Sequence, residues 1–228
     1  MRIELVVFDM AGTTVYDGDA VNVCLRAALE AAGCAVTREM VNEVMGLPKP
    51  LAIQQLMERR RDEAVTPPRV QAVHADFVHR MIRHYETDPR VRETDGASDT
   101  FRQLQAAGTK VALDTGFDRR ITNVILQRLA WARTALIDAT VTSDEVPRGR
   151  PHPDLVLRAM ALTGVTEAGR VAKVGDTPAD LQEGQAAGCG LVIGITSGSH
   201  TRAELEPFPH THLIAGVADL PELLRTIQ

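Results

Sequence analysis

Acidic, hydroxyl and basic side chains follow four hydrophobic runs of the sequence. One run is followed by Asp9-Met10-Ala11-Gly12-Thr13-Thr14, a second by Thr115-Gly116-Phe117, and a third, after a short connection, by Gly149-Arg150-Pro151. The fourth is followed by Gly175-Asp176-Thr177-Pro178-Ala179-Asp180. A carboxylate that attacks phosphorus needs a divalent cation, and the phosphoryl oxygens need backbone donors and a fixed positive charge. These residue types therefore favour phosphoryl-transfer chemistry.

The hydrophobic runs predict strands, and the segments between them have helical patterns. The predicted strands are Ile3–Phe8, Lys110–Asp114, Asp138–Thr142, Arg170–Val174, Leu191–Ile195 and His212–Ala215. Strands that alternate with helices indicate βαβ units, so we predict an α/β fold with a doubly wound parallel sheet. Ligands of such a sheet bind beyond the carboxyl ends of the strands, where the four polar clusters would meet.

The sequence between the first two predicted strands contains helix signals but no convincing strand. The predicted helices there are Asp19–Ala32, Thr37–Met45, Pro50–Arg61 and Pro67–Glu86. Consecutive helices inserted after the first strand indicate a separate all-helical unit. We therefore predict an α/β core domain of residues 1–14 and 96–228, interrupted by a helical domain of residues 15–95.

Composition disfavours several classes of protein. The 228 residues are 44% hydrophobic and 24% charged, which is ordinary for a globular chain with a sizeable core. A net charge of −5 and few aromatic residues disfavour nucleic-acid binding. Three cysteines without a CxxC pair indicate free thiols, and no apolar stretch is long enough to predict a membrane span. We expect a cytoplasmic protein with a small-molecule partner.

The four polar clusters resemble the motifs of the haloacid dehalogenase superfamily in order and spacing. The resemblance is carried by FDMAGTT, by the threonine after the second strand, by the basic residue of GRPxPD and by GDTxxD. It implies the Rossmann-like core of that superfamily, and the helical segment falls where the superfamily carries its small cap domain. It also implies that Asp9 is a nucleophile that forms an aspartyl-phosphate.

The resemblance further implies which residues bind the metal and the substrate. Mg²⁺ would be held by Asp9, the backbone carbonyl of Ala11 and Asp176, with Asp180 behind them. Arg150 would replace the lysine that is more usual in the third motif. The residues expected to contact phosphate or substrate are Thr13, Gly46, Thr115, Gly116 and Arg150.

Two details are similar to the phosphonatase branch, the phosphonoacetaldehyde hydrolases. Most phosphatases of the superfamily have a proton-donating Asp two residues after the nucleophile, where this chain has Ala11. Met45-Gly46-Leu47-Pro48-Lys49 resembles the phosphonatase motif MGxxK, whose lysine condenses with the substrate aldehyde. The leaving group then becomes an enamine, which needs no proton on oxygen. The absent acid and the retained lysine thus have one common explanation.

The substrate stays open at this point. Phosphonatases have a histidine three residues after the lysine, where this chain has Ala52, and a lysine before Pro50 could equally be a charged residue that grips substrate. The leading hypothesis is hydrolysis of the P–C bond of phosphonoacetaldehyde or a related phosphonate, with Lys49 as a catalytic residue beside Asp9, Thr115 and Arg150. The alternatives are a phosphomonoester phosphatase of the phosphoglycolate phosphatase type and a catalytically weak phosphate-binding module. Phosphonatases pair through their caps, so the resemblance also implies a homodimer.

Overall fold

Six parallel strands form one sheet in the computed structural model, which describes residues 2–60 and 64–227. The strands are β1 (Leu5–Asp9), β2 (Lys110–Thr115), β3 (Ala139–Thr142), β4 (Val171–Gly175), β5 (Leu191–Ile195) and β6 (His212–Ile214). Their spatial order is β3-β2-β1-β4-β5-β6. The sequence predicted all six strands, with ends that differ by two residues at most.

Helices surround the sheet and fill the long connection after β1. The α-helices of the described residues are α1 (Ala20–Ala31), α2 (Arg38–Asn42), α3 (Lys49–Arg60), α4 (Pro67–Thr87), α5 (Ala97–Ala106), α6 (Arg119–Arg128), α7 (Asp154–Thr163), α8 (Pro178–Ala186), α9 (Arg202–Leu205) and α10 (Leu220–Ile227). We call α1–α4 the helical insert. Arg61, the predicted end of the third helix, lies outside the described residues.

The second helix of the insert is shorter than its sequence predicted. It ends at Asn42 rather than Met45, because the chain leaves the helix through turns in which Met45 N–H donates to the Asn42 carbonyl at 3.1 Å. Gly46 then adopts a φ of +84°, which glycine tolerates without steric cost. The prediction of a helix over Thr37–Met45 was therefore wrong at its carboxyl end.

Alternate residues of β1 build two apolar layers, one on each face of the sheet. Val6 and Phe8 belong to a large cluster that includes Phe101 of α5 and residues of the helical insert, whereas Leu5 and Val7 pack with α7. This alternation follows from the two-residue period of a strand. The doubly wound α/β fold predicted from the sequence is confirmed. No helix of the described residues is both long and apolar enough to cross a membrane.

The site lies where the order of strands reverses. β1 pairs with β2 on one side and with β4 on the other, so a crevice opens at the carboxyl ends of β1 and β4. Asp9 is the last residue of β1, and Asp176 follows β4 directly. The helical insert leaves the sheet shortly after β1 and packs over this edge.

Candidate active site

Three buried carboxylates meet at this edge of the sheet. Each of Asp9, Asp176 and Asp180 offers an oxygen within 4.8 Å of the other two. Asp176 accepts hydrogen bonds from Thr13 Oγ1 at 2.9 Å and from Ser199 N–H at 2.6 Å. Burial raises the pKa of Asp9 to about 8, with Asp180 and Asp176 adding to the shift against the opposing effect of a nearby arginine. Burial, with the charge of Asp180, also raises the pKa of Asp176.

The donor set fits a Mg²⁺ ion. Mg²⁺ prefers carboxylate and carbonyl oxygens, and a divalent cation would relieve the repulsion that raises these pKa values. Ala11, whose carbonyl was predicted as a ligand, lines the same cavity as Asp9. The loops around Asp176 approach it so closely that a Cβ on Gly12 or Gly198 would lie 2.2 or 2.3 Å from its Oδ2. Glycine at both positions therefore leaves the Asp176 carboxylate its place.

Asp180 is positioned by the start of α8. Thr177 precedes this helix, and its hydroxyl donates to Asp180 Oδ2 at 2.5 Å, while the Thr177 N–H donates to the same oxygen at 3.2 Å. In return, Asp180 N–H donates to Thr177 Oγ1 at 3.3 Å, and this reciprocal arrangement is a capping box, which satisfies backbone donors at the helix start. The GDTxxD motif thus places its second carboxylate by ordinary helix capping.

Arg150 is almost completely buried, with 1% of its surface exposed, and it is surrounded by carboxylates. Its Nε donates to Glu183 at 2.9 Å and its Nη1 to Asp9 at 2.6 Å. Nη1 also lies 3.0 Å from Asp180 Oδ1, and Nη2 donates to Asp114. The guanidinium of Arg150 therefore fixes the orientation of the Asp9 carboxylate and also supplies positive charge to the site.

Lys173 completes a buried ionic group beneath the site. It lies in β4, and its Nζ contacts Asp114 and lies 3.2 Å from both Asp180 and Glu183. We call Asp9, Asp114, Arg150, Lys173, Asp180 and Glu183 the ion cluster. Asp114, Asp180 and Glu183 could hold a metal by distance alone. Arg150 and Lys173 already lie among them, so Asp9, Asp176 and Asp180 are the set with room for a cation.

Asp114, Lys173 and Glu183 were missed from the sequence. Asp114 and Lys173 are charged residues at buried positions of their strands, as in VAKVG of β4. Charges are rarely buried without a partner, so a lysine in such a strand predicts a buried acid. Glu183 follows Asp180 by three residues in α8, a spacing that places both on one helix face.

Most of the predicted site residues line one small cavity between the core and the insert. Its volume is about 20 Å³, which is room for about one water molecule. Thr115 lies at its wall, where Oγ1 accepts a hydrogen bond from Phe117 N–H at 3.1 Å. Thr13 is not part of this wall, and its hydroxyl faces Asp176. The predicted residues along the wall are Asp9, Ala11, Gly46, Lys49, Thr115, Gly116 and Arg150.

The loop Gly46–Pro48 of the insert rests directly on the core. A Cβ on Gly116 would lie 2.8 Å from the Leu47 carbonyl oxygen, and a Cβ on Gly149 would lie 2.4 Å from Pro48 Cγ. Side chains essentially never approach so closely, so glycine at these core positions permits the loop to seat. The insert therefore rests on the core and covers the small cavity.

Lys49, the first residue of α3, lines the small cavity. Only 4% of the residue is exposed. Its Nζ donates to the Leu47 carbonyl at 3.4 Å and lies 5.5 Å from the centre of the Phe117 ring. Burial lowers the pKa of Lys49 to about 8, an effect that Arg150 reinforces and Asp9 opposes. Close to neutral pH, a larger fraction of this amine is therefore unprotonated than in an ordinary lysine.

Asp17 also lines the small cavity, and the sequence did not single it out. It follows the first motif, and its Oδ1 accepts a hydrogen bond from Val21 N–H at 3.1 Å at the start of α1. Burial raises the pKa of Asp17 to about 6. No signal in the sequence marks this aspartate, because only the seating of the insert brings it to the site.

A family model described as haloacid dehalogenase-like hydrolase matches residues 6–193 of the chain. A phosphonoacetaldehyde hydrolase from Bacteroides fragilis is 29% identical over 237 residues, which cover 97% of this chain and 88% of that protein. A phosphonoacetaldehyde hydrolase from Bacillus cereus is 30% identical over 225 residues, with 93% and 84% covered.

Solved structures show the same fold. A phosphonoacetaldehyde hydrolase-like protein from Oleispira antarctica superposes with a TM-score of 0.87 at 22% identity, over 99% of this chain and 92% of that one. A predicted phosphoglycolate phosphatase from Haemophilus somnus gives a TM-score of 0.81 at 18% identity, with 98% of each chain covered. At these identities the likeness concerns the fold.

Proposed function

The chain belongs to the haloacid dehalogenase-like hydrolases, and on that basis we propose that it hydrolyses the carbon–phosphorus bond of phosphonoacetaldehyde or a related aldehyde phosphonate. The observation that carries this proposal is the buried amine of Lys49. It lines the same small cavity as Asp9, and burial lowers its pKa to about 8. A Schiff base requires the unprotonated amine, whereas an ordinary lysine is almost fully protonated at neutral pH.

Lys49 activates the bond that breaks. Its amine condenses with the aldehyde carbon and releases water, leaving an iminium ion. Asp9 attacks phosphorus, and the electron pair of the P–C bond moves toward the iminium nitrogen, so that carbon leaves as an enamine. Ala11, which cannot donate a proton, is compatible with this leaving group, whereas an alkoxide would need an acid.

Asp9 becomes an aspartyl-phosphate, which water then hydrolyses. Arg150 orients the Asp9 carboxylate through its 2.6 Å hydrogen bond, and Thr115 and Gly116 bind the phosphoryl oxygens. Mg²⁺ bound by Asp9, the Ala11 carbonyl and Asp176, with Asp180 behind them, would offset the negative charge that faces the nucleophile. Closure of the insert keeps bulk water away from the iminium ion.

Trapping with borohydride tests the proposal, because it reduces an iminium to a stable amine. The chain has three lysines, Lys49, Lys110 and Lys173. Lys110 is exposed on the surface, so it serves as an internal control for unspecific modification. With phosphonoacetaldehyde and borohydride, we expect inactivation and a mass adduct on the peptide that carries Lys49, with little on Lys110.

Lys49→Arg completes the experiment, since arginine keeps the charge but does not condense with the aldehyde. We expect it to lose aldehyde-phosphonate turnover, while Lys110→Arg keeps it. Turnover by Lys49→Arg, or turnover of wild type without an adduct, would overturn the proposal. A panel of phosphomonoesters measured in parallel tests the phosphoglycolate phosphatase alternative. Binding or phosphorylation of the protein without turnover of any substrate would favour the phosphate-binding module.

A further inference from the structure

Asp17 lies at the boundary between the small cavity and a second, larger one. The larger cavity has a volume of about 470 Å³ and opens between the insert and the core. Among the described residues, three line both cavities: Asp17, Met45 and Ser199. Of these, only Asp17 has a side chain that can take up and release a proton near neutral pH. It is therefore placed to exchange protons between the site and the larger cavity.

The small cavity offers few other groups for proton transfer. Its ionisable wall residues are Asp9, Asp17, Lys49 and Arg150. In the proposed function Asp9 is the nucleophile and Lys49 the condensing amine, while Arg150 remains charged among carboxylates. The position two residues after Asp9 carries Ala11, and the position three residues after Lys49 carries Ala52; neither side chain can transfer protons. Asp17 is thus the remaining group.

We infer that Asp17 is the proton-transfer residue for Schiff-base formation at Lys49. This inference rests on the proposed function, because it names the partner of the same amine. Val21 N–H holds the Asp17 carboxylate at the start of α1, so its position is fixed relative to the cavity wall.

The proton balance of the step is complete without another reagent. The Asp17 carboxylate accepts a proton from the Lys49 ammonium, and the free amine adds to the aldehyde carbon. A proton then moves from nitrogen to oxygen, which gives a neutral carbinolamine. The Asp17 carboxylic acid returns its proton to the carbinolamine hydroxyl, the C–O bond breaks, and water leaves as the C=N bond forms. Asp17 ends as a carboxylate, ready for the reverse sequence when the product aldehyde is released.

The surroundings of Asp17 set the pH range of this exchange. Lys49 favours its ionised form, whereas Asp176 and Asp19 favour its neutral form. Cys24 on α1 and Tyr85 on α4 also face it, but burial raises the pKa of Cys24 to about 11 and raises that of Tyr85 as well. Neither group therefore titrates near neutral pH. With a pKa of about 6 for Asp17 and about 8 for Lys49, the pair holds one proton between these values.

The rate of Lys49 trapping by acetaldehyde and cyanoborohydride tests the inference, because acetaldehyde carries no phosphorus and isolates the amine chemistry. For wild type we expect a bell-shaped pH profile with limbs near 6 and 8. Asp17→Asn keeps the acceptor for Val21 N–H, and we expect it to slow trapping about 10²–10⁴-fold. Its profile should lose the bell shape and rise through the pKa of Lys49. Asp95→Asn, which lines the larger cavity but not the small one, should leave rate and profile unchanged.

The outcomes separate this inference from the proposed function. Trapping of Asp17→Asn at the wild-type rate, with an unchanged profile, would overturn the role of Asp17 and leave the Schiff base in place. Absence of any Lys49 adduct in wild type with phosphonoacetaldehyde would instead overturn the proposed function. Should Asp17→Asn fail to fold, Asp17→Glu decides: an acidic limb that moves with the new carboxyl group supports the inference, and an unmoved limb overturns it.

Discussion

At the scale of single residues, the site depends on carboxylates that are harder to ionise because they are buried. Asp9 is buried beside two further carboxylates, and it is held in place chiefly by one guanidinium. Asp17 lies apart from this group, but its ionisation is also opposed by burial. Substitutions that keep the shape and remove the charge therefore separate the chemistry of each group from its packing.

Asp9→Asn should reduce turnover of every substrate to background, because the amide is not a nucleophile and offers the metal no negative charge. The sheet should persist, since the asparagine still fills the end of β1. Phosphate release and the circular dichroism spectrum are the two measurements, with the exposed Asp95→Asn as the control. Substantial turnover by purified Asp9→Asn protein would contradict a covalent mechanism.

The stability of the protein should also report the raised pKa of Asp17. The folded state holds this proton to about pH 6, whereas an unfolded aspartate releases it near 3.9, so ionisation destabilises the fold as the pH rises through this window. Urea denaturation should therefore show Asp17→Asn gaining stability relative to wild type between about pH 4 and 6, with a constant difference above. A difference that is flat with pH would show that burial does not raise this pKa.

At the scale of elements, the seating of the helical insert decides the geometry. The chain leaves α2 through turns after Asn42 and crosses the edge of the core as the irregular loop Gly46–Pro48. It then begins α3 at Lys49. Two glycines of the core make room for it. The Lys49 amine is thus positioned by Gly46–Pro48, which contacts loops of the core, and not by a strand of the sheet.

Gly149→Ala should displace this loop, since its Cβ would lie 2.4 Å from Pro48 Cγ. We expect kcat/KM to fall by about 10²-fold, because a shift near 1 Å misaligns the reacting groups. Unfolding by urea should change little, as the contact lies between the insert and the core. Gly169→Ala is the matched control, because a Cβ there meets nothing within 4 Å. Equal kinetics for the two variants would show that the loop adjusts freely.

The sequence predicted those parts of the site that depend on local order. Asp9 and Asp176 were located because each follows a strand, and the parallel sheet brings such positions together. Lys49 was identified by its motif, but its burial depends on how the insert seats. Asp17 and Ser199 belong to loops whose course no local pattern encodes. Packing between distant segments, rather than propensity, placed them at the site.

At the scale of the whole molecule, the ion cluster joins β1, β2, β4, α8 and the loop at Arg150. Two cations are surrounded by four carboxylates, all of them buried. Removal of one partner leaves a charge in the interior, which costs more than the pair contributes. The stability of the core and the orientation of Asp9 are therefore coupled through the same side chains.

Lys173→Met should lower the free energy of unfolding by about 3–5 kcal/mol, because Asp114 loses one of its two cationic partners in the interior. Lys110→Met removes a lysine of the surface pair with Asp138, where we expect about 0–1 kcal/mol. Urea denaturation of both variants measures the difference. Similar losses for the two would mean that the ion cluster contributes no more than a surface pair.

Mg²⁺ should stabilise the protein even without substrate, because it binds carboxylates that come together only in the folded state. At 100 times its Kd, a single bound ion adds about 2.7 kcal/mol to the free energy of unfolding. Thermal or urea unfolding with and without Mg²⁺ measures this gain. Asp176→Asn should lose it and Asp95→Asn should retain it. A wild-type protein indifferent to Mg²⁺, with activity that survives chelation, would contradict the metal assignment.

Gly46–Pro48, the loop that covers the small cavity, leads directly into Lys49, whose amine lies at that cavity. Lys49 is only 4% exposed while Gly46–Pro48 rests on the core, so reagents in solution reach its amine poorly. The rate at which a reagent labels this amine therefore measures how often the loop Gly46–Pro48 leaves the core. Lys110, on the surface of the same chain, supplies the reference rate for an unhindered lysine. Mass spectrometry of the peptides from one labelled sample would thus give the rate at which the loop leaves the core.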